Sequence, residues 1–199
     1  MPTLHLGFLA SHGGSNMQAI LDACKAGRLD AVPCVVISNN SEAMALQRAR
    51  REGIPAWHIS GATHPGEAED REILRVLTAH GVDTVLLAGY MKKLGPATLG
   101  AYRGRILNIH PALLPKFGGQ GMYGRRVHEA VLAAGETVTG VTVHLVDALY
   151  DHGRILAQHE VAVEPGDTPD SLAARVLVQE HRRYAETLQR IATGEIRLA

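Results

Sequence analysis

Short apolar runs alternate with amphipathic stretches through the first half of the chain, and no other feature narrows the fold as much. "LHLGFLAS" (4–11), "VPCVVISN" (32–39), "PAWHIS" (55–60) and "DTVLLAGY" (83–90) read as strands. "NMQAILDACKAG" (16–27), "EAMALQRARREG" (42–53), "GEAEDREILRVLTAHG" (66–81) and a stretch near 96–102 read as the intervening helices. The third of these carries Ile73, Leu74 and Leu77 at helical spacing and closes on a glycine. The run at 83–90 is apolar throughout, as a strand covered on both faces must be. Strand–helix alternation of this kind predicts an α/β fold, a doubly wound, mostly parallel sheet with helices on both faces. Ligands bind such sheets beyond the carboxyl ends of the strands.

The strand predicted at 105–110 ends abnormally. Its sequence, "GRILNIHPALLP" (104–115), places Asn108 and His110 on one face with Ile109 on the other, because side chains alternate along a strand. Pro111 lacks a backbone donor and stops the strand, so the pair stands at a strand mouth. Asn supplies N–H donors and His changes charge near neutrality, so the two suit an oxyanion that develops in a transition state. Tying down the following loop would explain them equally well.

Beyond that strand the pattern changes. "KFGGQGMYGRR" (116–126) is a glycine-rich loop and "VHEAVLAAGE" (127–136) a helix. "TGVTVHLVDAL" (139–149) and "RILAQHEVAV" (154–163), separated by "YDHG", read as an antiparallel pair, and a long helix runs from about Pro169 to Thr193. Asp147 and Asp151 lie in the link, where Asp and Gly make turns. A carboxylate there that faced His110 would favour the imidazolium. His144 alternates with Val143 and Leu145 and reads as a buried structural partner or a group that supports the site residues, the structural reading being preferred. Near the start, "ASHGGSNMQAI" places a glycine pair before Ser15 and Asn16 at a helix opening. Free N–H groups at such an end suit an anion, and an ordinary capped turn suits the same residues. Neither GxGxxG nor the Gly-Lys-Ser/Thr phosphate loop occurs, which disfavours redox and nucleotide-hydrolysing enzymes.

Composition sets further bounds. Lys plus Arg and Asp plus Glu each number 20, so broad electrostatic attraction to nucleic acid or to a membrane is not expected. The N-terminus lacks a basic start and no run approaches a membrane span, so a soluble, cytoplasmic protein is expected. Cys24 and Cys34 form no CxxC pair and read as reduced thiols. His5, His58, His64, His80 and His159 show no metal-ligand spacing, and no metal is expected. His12, His128, His152 and His181 lie near the motifs.

With these segments in view, the chain resembles the glycinamide ribonucleotide (phosphoribosylglycinamide) formyltransferases, folate-dependent enzymes of de novo purine synthesis. The resemblance runs nearly end to end, through "GGSNMQAILDAC", "VVISN", "RARREGIP", "VLLAGYMKKL", "ILNIHPALLPKF", "TGVTVHLVD", "DHGRILAQ" and "RVLVQEH". "NIHPALLP" marks the wider family of formyl-group transferases and hydrolases. The resemblance implies a Rossmann-like sheet and 10-formyltetrahydrofolate as co-substrate. It implies a catalytic trio of Asn108, His110 and Asp151, with Asp151 keeping His110 protonated. Gly14, Ser15 and Asn16 would hold the substrate phosphate and Glu180 the ribose. Met91, Lys92, Lys93 and Leu94, with Asn108 and the loop Asp147, Ala148, Leu149, Tyr150 and Asp151, would line the folate pocket, largely through backbone. The chain departs from the family at His12, Gly66, Leu177, the loop 117–126, His152 and Arg154. One domain over 1–199 is expected, with phosphate and nucleotide binding in about 1–104 and catalysis and folate binding in about 105–199. The partners implied are small molecules, with a monomer or homodimer as the assembly. A formyltetrahydrofolate hydrolase is the nearest rival; that family carries an extra N-terminal domain, whereas this chain begins directly with a strand. A non-catalytic folate- or nucleotide-binding module is the rival of a different class.

Overall fold

The computed structural model describes residues 3–198. Its elements run β1 (Leu4–Leu9), α1 (Ser15–Lys25), β2 (Ala31–Ser38), α2 (Met44–Arg51), β3 (Ala56–His58), α3 (Glu67–Ala79) and β4 (Thr84–Leu87). They continue α4 (Pro96–Ala101), β5 (Ile106–His110), α5 (Arg125–Ala133), β6 (Val138–Leu145), β7 (Ile155–Ala162) and α6 (Pro169–Ala192). One seven-stranded sheet has the order β3-β2-β1-β4-β5-β6-β7. The first five strands are parallel, and β6 and β7 are added antiparallel.

The period of two along each strand sorts the core. Leu6, Phe8, Val36, Leu86, Leu107 and Ile109 pack with α1, α2, α5 and α6 on one face. Leu9, Val35, Ile37, Val85, Leu87 and Ile106 pack with α3 and α4 on the other. Helix α3 lies so close to β1 that a Cβ on Gly7 would stand 2.6 Å from Leu77 Cδ2. Helix α6 is started by a reciprocal capping box between Thr168 and Ser171, with Pro169 in its first turn. Its Tyr184 is fully buried and donates its hydroxyl to the Leu107 carbonyl at 3.0 Å, pinning the helix behind β5.

Strand order reverses beside β1, since the chain winds out through β2 and β3 and then returns to β4 on the other side. The carboxyl ends of β1 and β4 are joined there by the Ser11 N–H donating to the Gly89 carbonyl at 3.0 Å. That reversal opens the crevice in which doubly wound sheets bind ligands.

The apolar runs overstate the strand lengths. The run at 83–90 leaves the sheet after Leu87, and the run at 139–149 leaves after Leu145. In the second case the chain folds straight back, so that a Cβ on Gly153 would stand 1.8 Å from the Leu145 carbonyl oxygen. Both departures place residues at the crevice that a longer strand would have kept in the sheet.

Candidate active site

A cavity of about 760 Å³ lies over the carboxyl ends of β1, β4 and β5. Three walls meet there. The first is the turn from β1 into α1, where Gly14 is left-handed (φ 68) and a Cβ on it would stand 2.7 Å from Ala45 Cβ. Ser15 and Asn16 follow at the helix opening. One of the two Nδ2 hydrogens of Asn16 is donated to Glu180 Oε2 at 2.7 Å. Asn16 Oδ1 has no partner among the described residues. Burial holds the Glu180 carboxyl above its ordinary value, and the Asn16 bond pulls it only part of the way back.

The second wall is the mouth of β5. Asn108 and His110 share a face there, opposite Leu107 and Ile109, as strand alternation requires. In the ladder Asn108 pairs with His144 and His110 with Thr142. His144 Nδ1 lies 2.9 Å from its neighbour's carbonyl, that of Leu145, and must donate to it. Its Nε2 then faces Asn108 Nδ2 at 3.2 Å and Asp151 Oδ1 at 3.5 Å. Thr142 braces the mouth: its hydroxyl donates to the Ala112 carbonyl at 2.7 Å and accepts from the Leu114 N–H at 3.1 Å.

The third wall is built from the loops 91–94 and 147–151. Asp147 makes the turn, accepting from the Leu149 N–H at 2.7 Å and contacting His152 Nδ1 at 3.2 Å. Asp151 is left-handed (φ 54) and turns inward, accepting from the Gly119 N–H at 2.9 Å and facing His110 Nδ1 at 3.6 Å. Met91 is held by its N–H to Ser11 Oγ at 2.8 Å. The Lys92 ammonium is committed to Glu69 at 3.0 Å, so what Lys92 offers the cavity is backbone. Lys93 lies 5.8 Å from the centre of the Tyr150 ring. Leu94 is buried at the foot of the loop, and exposed Met91, Leu149 and Tyr150 give the rim an apolar lip.

His110 is buried and both its ring nitrogens have neighbours. Nε2 lies 2.7 Å from the Phe117 carbonyl oxygen. Burial pushes the imidazole below its ordinary value, and the attraction of Asp151 does not make up the loss. Burial of the ring therefore opposes the charge that Asp151 favours on His110. The separation of 3.6 Å is longer than a hydrogen bond. Burial also works to raise the Asp151 carboxyl, but the neighbouring His144 and His110 rings and the Gly119 N–H outweigh it and hold it low.

The crevice thus brings together Gly14, Ser15, Asn16, Glu180, Met91, Lys92, Lys93, Leu94, Asn108, His110, Asp147, Leu149, Tyr150 and Asp151. Ala148 is not part of its lining. Sequence reasoning preferred a structural role for His144 over one beside Asn108 and Asp151, because the ladder register that pairs it was not legible. It also left open His128, whose ring lines the cavity while Nδ1 lies buried without a partner among the described residues. Burial holds that ring below its ordinary value, with His110 adding to the effect. His12 lines the cavity on its exposed side. Among the described residues no three His, Cys, Asp or Glu side chains gather as metal ligands, and no helix is long and apolar enough to cross a membrane.

A strand-mouth Asn and His facing a loop carboxylate, at the reversal point of a doubly wound sheet, define a class of site. The formyl transferase family model matches residues 5–188, and the chain belongs to that family. Among its relatives, the chloroplastic phosphoribosylglycinamide formyltransferase of Arabidopsis thaliana is 42% identical over 96% of this chain, which spans 66% of that protein. The phosphoribosylglycinamide formyltransferase of Escherichia coli is 39% identical over 98% of this chain and 90% of its own length. A glycinamide ribonucleotide transformylase from Symbiobacterium toebii superposes with a TM-score of 0.91 at 41% identity, covering 98% of this chain and 94% of that one.

Proposed function

We propose that this chain transfers the formyl group of 10-formyltetrahydrofolate to the amine of glycinamide ribonucleotide, giving formylglycinamide ribonucleotide and tetrahydrofolate in de novo purine synthesis. The observation that carries this reading is the convergence of Asn108, His110 and Asp151 where the second and third walls of the cavity meet. An anion-ready helix opening lies at one end of that cavity and an apolar lip at the other. The partners are two small molecules, with the phosphate at Gly14 and Ser15, the ribose at Glu180, and the folate along 91–94 and 147–151.

The chemistry follows from the donors and acceptors present. The amine nitrogen attacks the formyl carbon, a C–N bond forms and the carbonyl oxygen becomes an oxyanion. Asn108 Nδ2 is the group suited to donate to that oxygen. Neutral His110 presents Nδ1 as an acceptor beside the Asp151 carboxylate, and together they take the N–H proton that the amine must lose. The same proton passes to N10 of the folate as its bond to the formyl carbon breaks, so one proton moves and none is left over. Asp151 also offsets positive charge while the proton is in transit.

Purified protein given 10-formyltetrahydrofolate with and without glycinamide ribonucleotide tests the reading. Tetrahydrofolate formation that depends on the nucleotide is expected. Equal formation without it would make the chain a hydrolase, and folate binding without turnover would leave a binding module.

A further inference from the structure

A backbone turn, not a side chain, decides which nitrogen of His110 carries a proton. Nε2 lies 2.7 Å from the Phe117 carbonyl oxygen. A carbonyl can only accept, so that bond requires the proton on Nε2. Phe117 has φ 56, a left-handed conformation that non-glycine residues adopt rarely. The next residue is crowded, since a Cβ on Gly118 would force Leu114 Cδ2 to shift and would stand 3.2 Å from Asp151 Cβ. Gly119, at φ 99, then gives its N–H to Asp151 Oδ2 at 2.9 Å. The turn Phe117-Gly118-Gly119 therefore holds His110 with its first residue and Asp151 with its last.

We propose that Phe117 is a positioning residue: its carbonyl fixes neutral His110 as the Nε2–H tautomer and leaves Nδ1, facing Asp151, as the nitrogen that exchanges the proton. Its kinetic consequence rests on the formyl-transfer reading, and its tautomeric consequence does not. In the reaction the proton lost by the attacking amine is received at Nδ1 and returned to the departing folate nitrogen.

The test compares Phe117→Gly with Phe117→Val. Both remove the ring; glycine takes a left-handed φ freely, whereas a β-branched residue strongly resists it. Nitrogen-15 imidazole spectra of histidine-labelled protein at pH 8 report the tautomer directly. Wild type and Phe117→Gly are expected to show His110 with its proton on Nε2, and Phe117→Val to show exchange between tautomers. In formyl transfer, kcat of Phe117→Val should fall about tenfold or more below that of Phe117→Gly, the lower end of what a well-poised acid–base group supplies. Wild-type His110 protonated on Nδ1 would overturn the proposal. So would a Phe117→Val protein with the wild-type tautomer, whatever its kcat. If Phe117→Val does not fold, the wild-type and Phe117→Gly spectra still decide. A wild type inactive on the nucleotide would remove the formyl-transfer reading and leave the tautomer result standing.

Discussion

A neutral imidazole and a carboxylate set face to face have no proton to share until a substrate brings one, and burial of the ring biases the pair at His110 and Asp151 toward that state. Asn108 complements them as a donor whose amide is placed by His144 across the ladder. Asn108→Ala should lower kcat by about 10²–10³ with both substrates still bound, the usual loss for one oxyanion donor; steady-state kinetics beside calorimetric binding would check the split. Glu180 is the opposite kind of residue. Its carboxyl is held above its ordinary value by burial, so it favours the folded state while protonated and costs stability as pH rises through its folded value. Glu180→Gln should therefore raise the thermal midpoint at pH 8 by a few degrees, for about 1 kcal/mol of relieved burial, while raising KM for the nucleotide. At this scale the shared face of Asn108 and His110 was legible, because alternation along a strand needs only the sequence. The left-handed backbone of Phe117 and Asp151 was not. Nothing local demands it, and each such residue costs about 1–2 kcal/mol that surrounding contacts must offset.

Among the elements, α6 does most to hold the crevice shut from behind, since it carries both Glu180 and the Tyr184 hydroxyl bonded to β5. Its start depends on a reciprocal cap, so Thr168→Ala should cost about 1 kcal/mol and lower the thermal midpoint by about 2–4 °C; differential scanning calorimetry measures it. The loop after β6 depends on a close approach, and Gly153→Ala should displace it and weaken folate binding more than it weakens nucleotide binding. The strands and helices themselves were legible, since apolar runs and helical spacing mark them. Their ends were not: the runs at 83–90 and 139–149 stay apolar because the loops after β4 and β6 still pack against the core, through Ala88, Tyr90 and Val146.

In the whole molecule, the buried titratable groups set how stability responds to acid. His110 and His128 are held below 6.5, so the unfolded chain takes up their protons first and stability falls as pH drops from 6.5 through their folded values. Asp151, held below 3.8, adds a second loss as pH falls through its own folded value. Urea midpoints across pH 8 to 4 should decline below about 6.5, and the histidine part of the decline should shrink in His110→Gln. Because Glu180 acts in the opposite sense over this range, the comparison with the variant decides: profiles of the same shape in wild type and His110→Gln would remove the buried neutral His110 from the account. The doubly wound architecture and its crevice were legible from strand–helix alternation alone. The pairing of β5 with β6, which brings His144 and Asp151 to His110, joins segments more than 30 residues apart in a register that the sequence does not display.

The most direct measurement is single-turnover formyl transfer to glycinamide ribonucleotide by wild type and by Asp151→Asn, with both substrates saturating and their binding measured separately. Because the proton must be taken from the amine and returned to the folate, the rate in Asp151→Asn should fall by about 10²–10⁴ with both substrates still bound. A rate within about tenfold of wild type, well short of a normal acid–base contribution, would contradict the role assigned to the His110–Asp151 pair.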